Sequence, residues 1–178
     1  METFIQHPDG RINNYLSVTT ANAVHIVPGS FNPLHAGHRR IFEYASRLGP
    51  AYYEISVDRI GKEFLGQDEL DKRLNQFLWY APVIVTNQML LCNKVALPIF
   101  KDLKRIGIHI GADTAKRLIQ MNSINDFMPN VFIYVYERII DDVIHQIQGK
   151  EKWPNMILVN DWGRNVAHLA SSQIRKDQ

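Results

Sequence analysis

Residues 23–38 read AVHIVPGSFNPLHAGH, and this stretch decides the fold. An apolar run, AVHIV, stops at Pro28. A short loop holding Gly29, Pro33 and Gly37 follows, and a segment of helical period begins around Ala36. A buried strand that passes through a glycine-containing loop into a helix is the first half of a βαβ unit. The pattern repeats along the chain. Further apolar runs are AYYEISV (51–57), APVIVT (81–86), IGIHIG (106–111), VFIYVY (131–136) and NMILV (155–159). Several place β-branched and aromatic residues on consecutive positions, as parallel strands covered on both faces require.

Between the first two runs, Ile41, Phe42, Ala45 and Leu48 fall along one side of a helix that Gly49-Pro50 ends. DELDKRLNQFLWY (68–80) predicts a second crossover helix, with Asp68 as N-cap and Leu70, Leu74, Phe77 and Leu78 on one stripe. A helix around NKVALPIFKD is ended or kinked by Pro98, and another around ADTAKRLIQ starts after Gly111. Right-handed crossovers then give a doubly wound α/β fold: a mainly parallel sheet with helices on both faces, in a single domain over 23–178. Residues 1–22, with the turn sequence HPDG, form an added hairpin or arm. The ligand site of such a sheet lies at the carboxyl ends of the strands, where the strand order reverses.

The 178 residues are 46% hydrophobic and 21% charged, an ordinary globular composition. Twenty basic against 18 acidic residues, a net charge of +2, predict no nucleic-acid surface. Cys92 is the one cysteine, so neither an intrachain disulfide nor a cysteine zinc cluster is expected. No run reaches a membrane span and the first residues lack a secretory pattern, so no membrane partner and a cytoplasmic location are expected. No heptad repeat speaks to the oligomeric state.

The loop suits phosphate. Gly29 permits a tight exit from the strand and Gly37 lets main chain approach a ligand. The following helix end offers amide donors and positive potential, to which His35 and His38 add imidazole donors. Two other readings are open: ordinary cap or surface histidines, and a metal pair at i, i+3, although no third ligand shows a recognisable spacing.

HAGH at 35–38 resembles the HxGH signature of the nucleotidylyltransferase superfamily. The longer GSFNPLHAGH is most similar to nicotinamide or nicotinate mononucleotide adenylyltransferases and their less characterised cytidylyltransferase-like relatives, whose fold is Rossmann-like. At the other end, LASSQIRK (169–176) resembles the family's ISSTxIR motif. The resemblance implies catalytic roles for His35, His38 and Arg175, and nucleotide binding by Gly29, Ser30, Phe31, Asn32, Gly37, Ser171 and Ser172. GADT (111–114) resembles the family's GAD step, adding Gly111 and Asp113. Asp113 also reads as a helix cap.

VTNQMLLCNKVALP (85–98) resembles a Thr-Asn…Lys stretch of that branch, which offers Thr86 and Lys94 to the second substrate; Lys94 reads equally well as a solvated helix residue. EISVDRIGKEFL (54–65) matches a segment ending in Lys-Pro, adding Lys62. Three departures stand out: Ala170 for a first Ser, Asp58 for Asn and Glu63 for Pro. The implied partners are ATP and a small phosphorylated acceptor, with Mg2+ carried mainly by the ATP phosphates. The implied reaction is AMP transfer to a mononucleotide phosphate. Adenylyl or cytidylyl transfer to another acceptor such as phosphopantetheine, and a non-catalytic nucleotide-binding protein, are the alternatives.

Overall fold

The computed structural model describes residues 2–16, 23–58, 63–121, 123–140, 143–147 and 153–159. Each apolar run is a strand: β3 (Ala23–Pro28), β4 (Ala51–Ser56), β5 (Val83–Thr86), β6 (Arg105–Gly111), β7 (Val131–Tyr136) and β10 (Met156–Val159). Near the N-terminus, β1 (Phe4–Gln6) and β2 (Ile12–Asn13) make a hairpin. A second small hairpin joins β8 (Arg138–Ile140) to β9 (Val143–His145).

Among the described residues the main sheet has the order β10-β7-β6-β3-β4-β5-β1-β2. From β10 to β5 every pairing is parallel, while β1 pairs antiparallel with both β5 and β2. The chain lays β4 and β5 to one side of β3, then returns to place β6, β7 and β10 on the other. The order therefore reverses between β3 and β6, the Rossmann-like switch point.

Among the described residues four α-helices connect these strands: α1 (Ala36–Leu48), α2 (Gln67–Asn75), α3 (Leu91–Val95) and α4 (Ala112–Gln120). Two cores result, one on each face. Ile41 and Ala45 of α1 with Leu70 and Leu74 of α2 pack against Val27, Tyr53, Ile55 and Val85. Val95 of α3 and Ala115 of α4 pack against Ile26, Tyr52, Ile84 and Ile108 on the reverse face. All six residues of β4 are buried, as a central strand covered on both sides must be.

The helix boundaries depart from expectation in two places. Gly66, not Asp68, is the N-cap of α2, and Asp68 lies in the first turn, where its carboxylate still complements the helix dipole. The helix also stops at Asn75, because residues 76–80 turn back through Trp79, whose φ is 61°. Leu48, placed on the apolar stripe of α1, is 44% exposed at its last turn. Pro98 ends α3 as expected and begins a single 3-10 turn, Pro98–Phe100. No helix among the described residues is long and apolar enough to cross a membrane.

Beneath the switch point lies a polar feature inside the core. His25 of β3 and His109 of β6 are 3% and 1% exposed, with His25 Nδ1 2.8 Å from His109 Nε2 and His109 Nδ1 2.6 Å from Tyr136 Oη. Tyr134 stacks on His109 with ring centroids 4.5 Å apart. Burial, with a lesser contribution from Arg105, pushes the His25 pKa down to about 4. Burial and then the neighbouring His25 hold His109 well below the ordinary histidine range. Both rings are therefore neutral and carry one proton each. The two hydrogen bonds then run in one direction, with His109 donating one of them and accepting the other.

Candidate functional site

The site is built where β3 and β6 end side by side. Ile26 is level with Ile108 across the ladder, so Pro28 and Gly111 bring both strands to the same edge, from which β6 passes directly into α4 and β3 reaches α1 through loop 29–35. His35 is the N-cap of α1 and Gly111 that of α4. Two helix N-termini thus share the carboxyl edge at the strand-order reversal, an arrangement that favours an anion with several phosphates.

Loop 29–35 is held from three directions. The Gly29 N–H donates to the Glu54 carbonyl at 3.0 Å, continuing the ladder past the end of β3. A Cβ at Gly29 would lie 2.7 Å from the Phe31 ring, so glycine there is a packing requirement. That ring is fully buried, edge-on to Tyr53, Phe77 and His38 at centroid distances of 5.0, 5.3 and 4.9 Å. Phe31 therefore serves the core with its side chain and can offer a ligand only main chain. Its φ of 44° is left-handed, a conformation that costs a residue with a Cβ about 1–2 kcal/mol, offset here by burial of the aromatic ring.

The third support comes from α2 and the residue after it. Gln76 Nε2 donates to the Phe31 carbonyl at 2.9 Å, while its Oε1 accepts from the Leu34 N–H at 2.7 Å. Arg73, 4% exposed, donates to the Ser30 carbonyl at 2.9 Å and to Glu69 at 2.7 Å. These two residues fix the loop and no sequence motif names them. The available signal was an arginine on the apolar stripe of α2, between Leu70 and Leu74.

The two histidines meet. His35 and His38 stack with ring centroids 3.7 Å apart and 25° between planes. His38 Nδ1 accepts from the His35 main-chain N–H at 3.4 Å, a long bond that assigns the proton of the neutral His38 ring to Nε2. Gly37 is buried in the first turn between them. Ser30 and Asn32 are half-buried on the same loop. Across the switch point, Asp113 lies in the first turn of α4, its Oδ2 3.6 Å from Arg117.

Thr86 and Lys94 are placed differently. Both are buried, at 1% and 9% exposure, so Lys94 is no solvated helix residue. Each is bound to Glu54, itself 1% exposed: Thr86 Oγ1 donates to Oε1 at 2.7 Å and Lys94 Nζ to Oε2 at 2.8 Å. Sequence reading missed Glu54, although a lone acid inside the apolar run AYYEISV is a visible anomaly. Lys62, Ala170, Ser171, Ser172 and Arg175 lie outside the described residues. Asp58 is half-buried, its carbonyl accepting from Ser56 Oγ, and Glu63 is exposed.

Residues 26–144 match the cytidylyltransferase-like family, and the chain belongs to that family. Among solved structures it is similar to the Plasmodium falciparum nicotinic acid mononucleotide adenylyltransferase complexed with APC. That likeness has a TM-score of 0.60 at 14% identity and covers 86% of this chain and 82% of the other, a likeness of fold. No curated protein sequence matches the chain. Nucleotidyl transfer is the general chemistry that this family and fold support.

Proposed function

We propose that this member of the cytidylyltransferase-like family transfers AMP from ATP to the phosphate of a mononucleotide, nicotinamide or nicotinate mononucleotide, and releases pyrophosphate. The observation that carries the reading is the stacked His35–His38 pair at the start of α1, beside a second helix N-terminus at the same switch point. The fold it shares with a nicotinic acid mononucleotide adenylyltransferase supports the choice of acceptor.

In this reaction an oxygen of the acceptor phosphate attacks the α-phosphorus of ATP. The bond from that phosphorus to the oxygen bridging to the β-phosphate breaks, and pyrophosphate leaves with the electron pair. The attacking oxygen is already anionic near neutral pH, so no protein base or nucleophile is needed. The protein's contribution is alignment and stabilisation of charge on the phosphates. His38 donates to the α-phosphate as charge builds, and His35 and the amides of α1 steady the triphosphate. Asn32 and Asp113 orient the substrates; Ser171, Ser172 and Arg175 grip the β- and γ-phosphates. The loop donors are imidazoles and main-chain N–H groups, which suit phosphate oxygen and do not make the oxygen-ligand set that Mg2+ prefers, so Mg2+ would be carried by the ATP phosphates and water. Bound there, it neutralises phosphate charge.

Replacing His38 by Ala should lower pyrophosphate release at least a hundredfold, because one oriented donor to a developing charge is worth roughly that much. The accompanying loss of ring packing on His35 and Phe31 should cost no more than about 1–2 kcal/mol of stability. Turnover of His38→Ala equal to that of the wild type would sink the assignment.

A further inference from the structure

The opening between the two helix ends begins as a fork in the sheet. β3 and β6 run level from Ala23 and Arg105 to Ile26 and Ile108, where their ladder ends. Beyond that rung each strand pairs only outward, β3 with β4 as far as Pro28 and Glu54, and β6 with β7 as far as Gly111 and Tyr136. The one polar side chain of β3, His25, lies just below the last rung and His109 just above it. Their hydrogen bond of 2.8 Å therefore crosses from strand to strand where the two part. Gly107 stands level with His25 and leaves the space that its ring occupies. From His109 the contacts continue to Tyr136, level with the Gly111 N-cap of α4. Tyr44 of α1 lies edge-on to His109 and Tyr136, at centroid distances of 6.4 and 5.9 Å.

Apolar side chains would hold this part of the sheet equally well, because replacing both partners of a buried hydrogen bond by apolar groups is nearly neutral for stability. A hydrogen bond adds a fixed spacing and direction between its two atoms, which apolar packing leaves looser. We infer that the clasp of His25, His109 and Tyr136 sets the width of the fork, and with it the separation of the N-termini of α1 and α4. His25 and His109 are then positioning residues for the phosphates. This rests on the transfer reading above, in which the triphosphate lies at those two helix ends. β6 passes straight into α4 and β3 reaches α1 through loop 29–35, so strands that spread at the fork carry the two helix ends apart. Tyr44 ties α1 to the same clasp. Phosphate donors that drift apart in this way lose the alignment on which binding and transfer depend.

The test is calorimetric binding of a non-hydrolysable ATP analogue near neutral pH, with urea unfolding and pyrophosphate release measured on the same variants. His25→Asn puts an amide atom where Nδ1 lies and so keeps the bond to His109, whereas His25→Leu removes it at similar bulk. His25→Leu should bind the analogue about tenfold more weakly or worse, and His25→Asn should stay within about threefold of the wild type. Should His25→Leu fail to fold, the apolar double variant His25→Leu/His109→Leu leaves neither imidazole without its partner and should fold with the same loss of affinity. A merely structural role would move the urea midpoint and leave the folded protein's affinity for the analogue as in the wild type. Wild-type affinity in His25→Leu or in the double variant, an equal loss in His25→Asn, or no binding of the analogue by the wild type each overturns the inference. Affinity that follows the clasp, without pyrophosphate release from ATP and either nicotinamide or nicotinate mononucleotide, would defeat the transfer reading and leave the inference standing.

Discussion

His25 and His109 show how much a single residue type can do in opposite settings. At the start of α1 the imidazoles of His35 and His38 stack beside the proposed ligand site; under the sheet's switch point the other two are held neutral in the core. Gly107 is the condition for the buried pair, because a Cβ there would fall on the His25 ring. The consequence for stability has a definite sign. The folded pKa of His25 lies at about 4, below the model-peptide value of 6.5, so the unfolded chain takes up protons first as pH falls. Stability is therefore full above pH 6.5 and is lost between 6.5 and about 4, by about 3 kcal/mol from His25 alone, with His109 adding in the same direction. Urea unfolding at pH 7, 5.5 and 4.5 reads the loss, and imidazole resonances followed by NMR identify its source. Ring protons of His25 that titrate near pH 6.5 would contradict this account.

Elements, and not motif residues alone, hold the phosphate loop. The end of α2 grips it through Arg73 and Gln76, and the N-terminal hairpin grips the end of α2 in turn. Gln6 Nε2 donates to the Leu74 carbonyl at 3.2 Å, and the Trp79 N–H donates to the Pro8 carbonyl at 2.7 Å. Gln76→Ala removes both hydrogen bonds that pin 31–34 and should cost about 1–3 kcal/mol. Because the proposed transfer aligns phosphates on that loop, pyrophosphate release should also fall about tenfold or more while the far-ultraviolet circular dichroism stays unchanged. Unaltered turnover in a measurably less stable variant would separate the loop's fixation from the chemistry.

At the scale of the whole molecule, the strands were legible because each is buried on both faces and so reads as a continuous apolar run. The parallel, doubly wound sheet followed from the βαβ alternation, which places a ligand site at the strands' carboxyl ends where their order reverses; that the reversal falls between β3 and β6 is seen only in the folded chain. Contacts between distant segments were not legible: periodicity shows that Arg73 and Glu54 lie on buried faces, but only the folded chain shows that they meet Ser30, Thr86 and Lys94. The partner of the N-terminal hairpin was hidden for the same reason. Its seat on β5 has a bearing on solubility. Without it the sheet would end in VIVT, a short run of high β-propensity with unpaired N–H and carbonyl groups, a template for another copy. The hairpin replaces that edge with β2, two residues long and too short to template another strand. Removing residues 1–13 should therefore produce concentration-dependent association, visible as rising light scattering at concentrations where the intact chain stays clear.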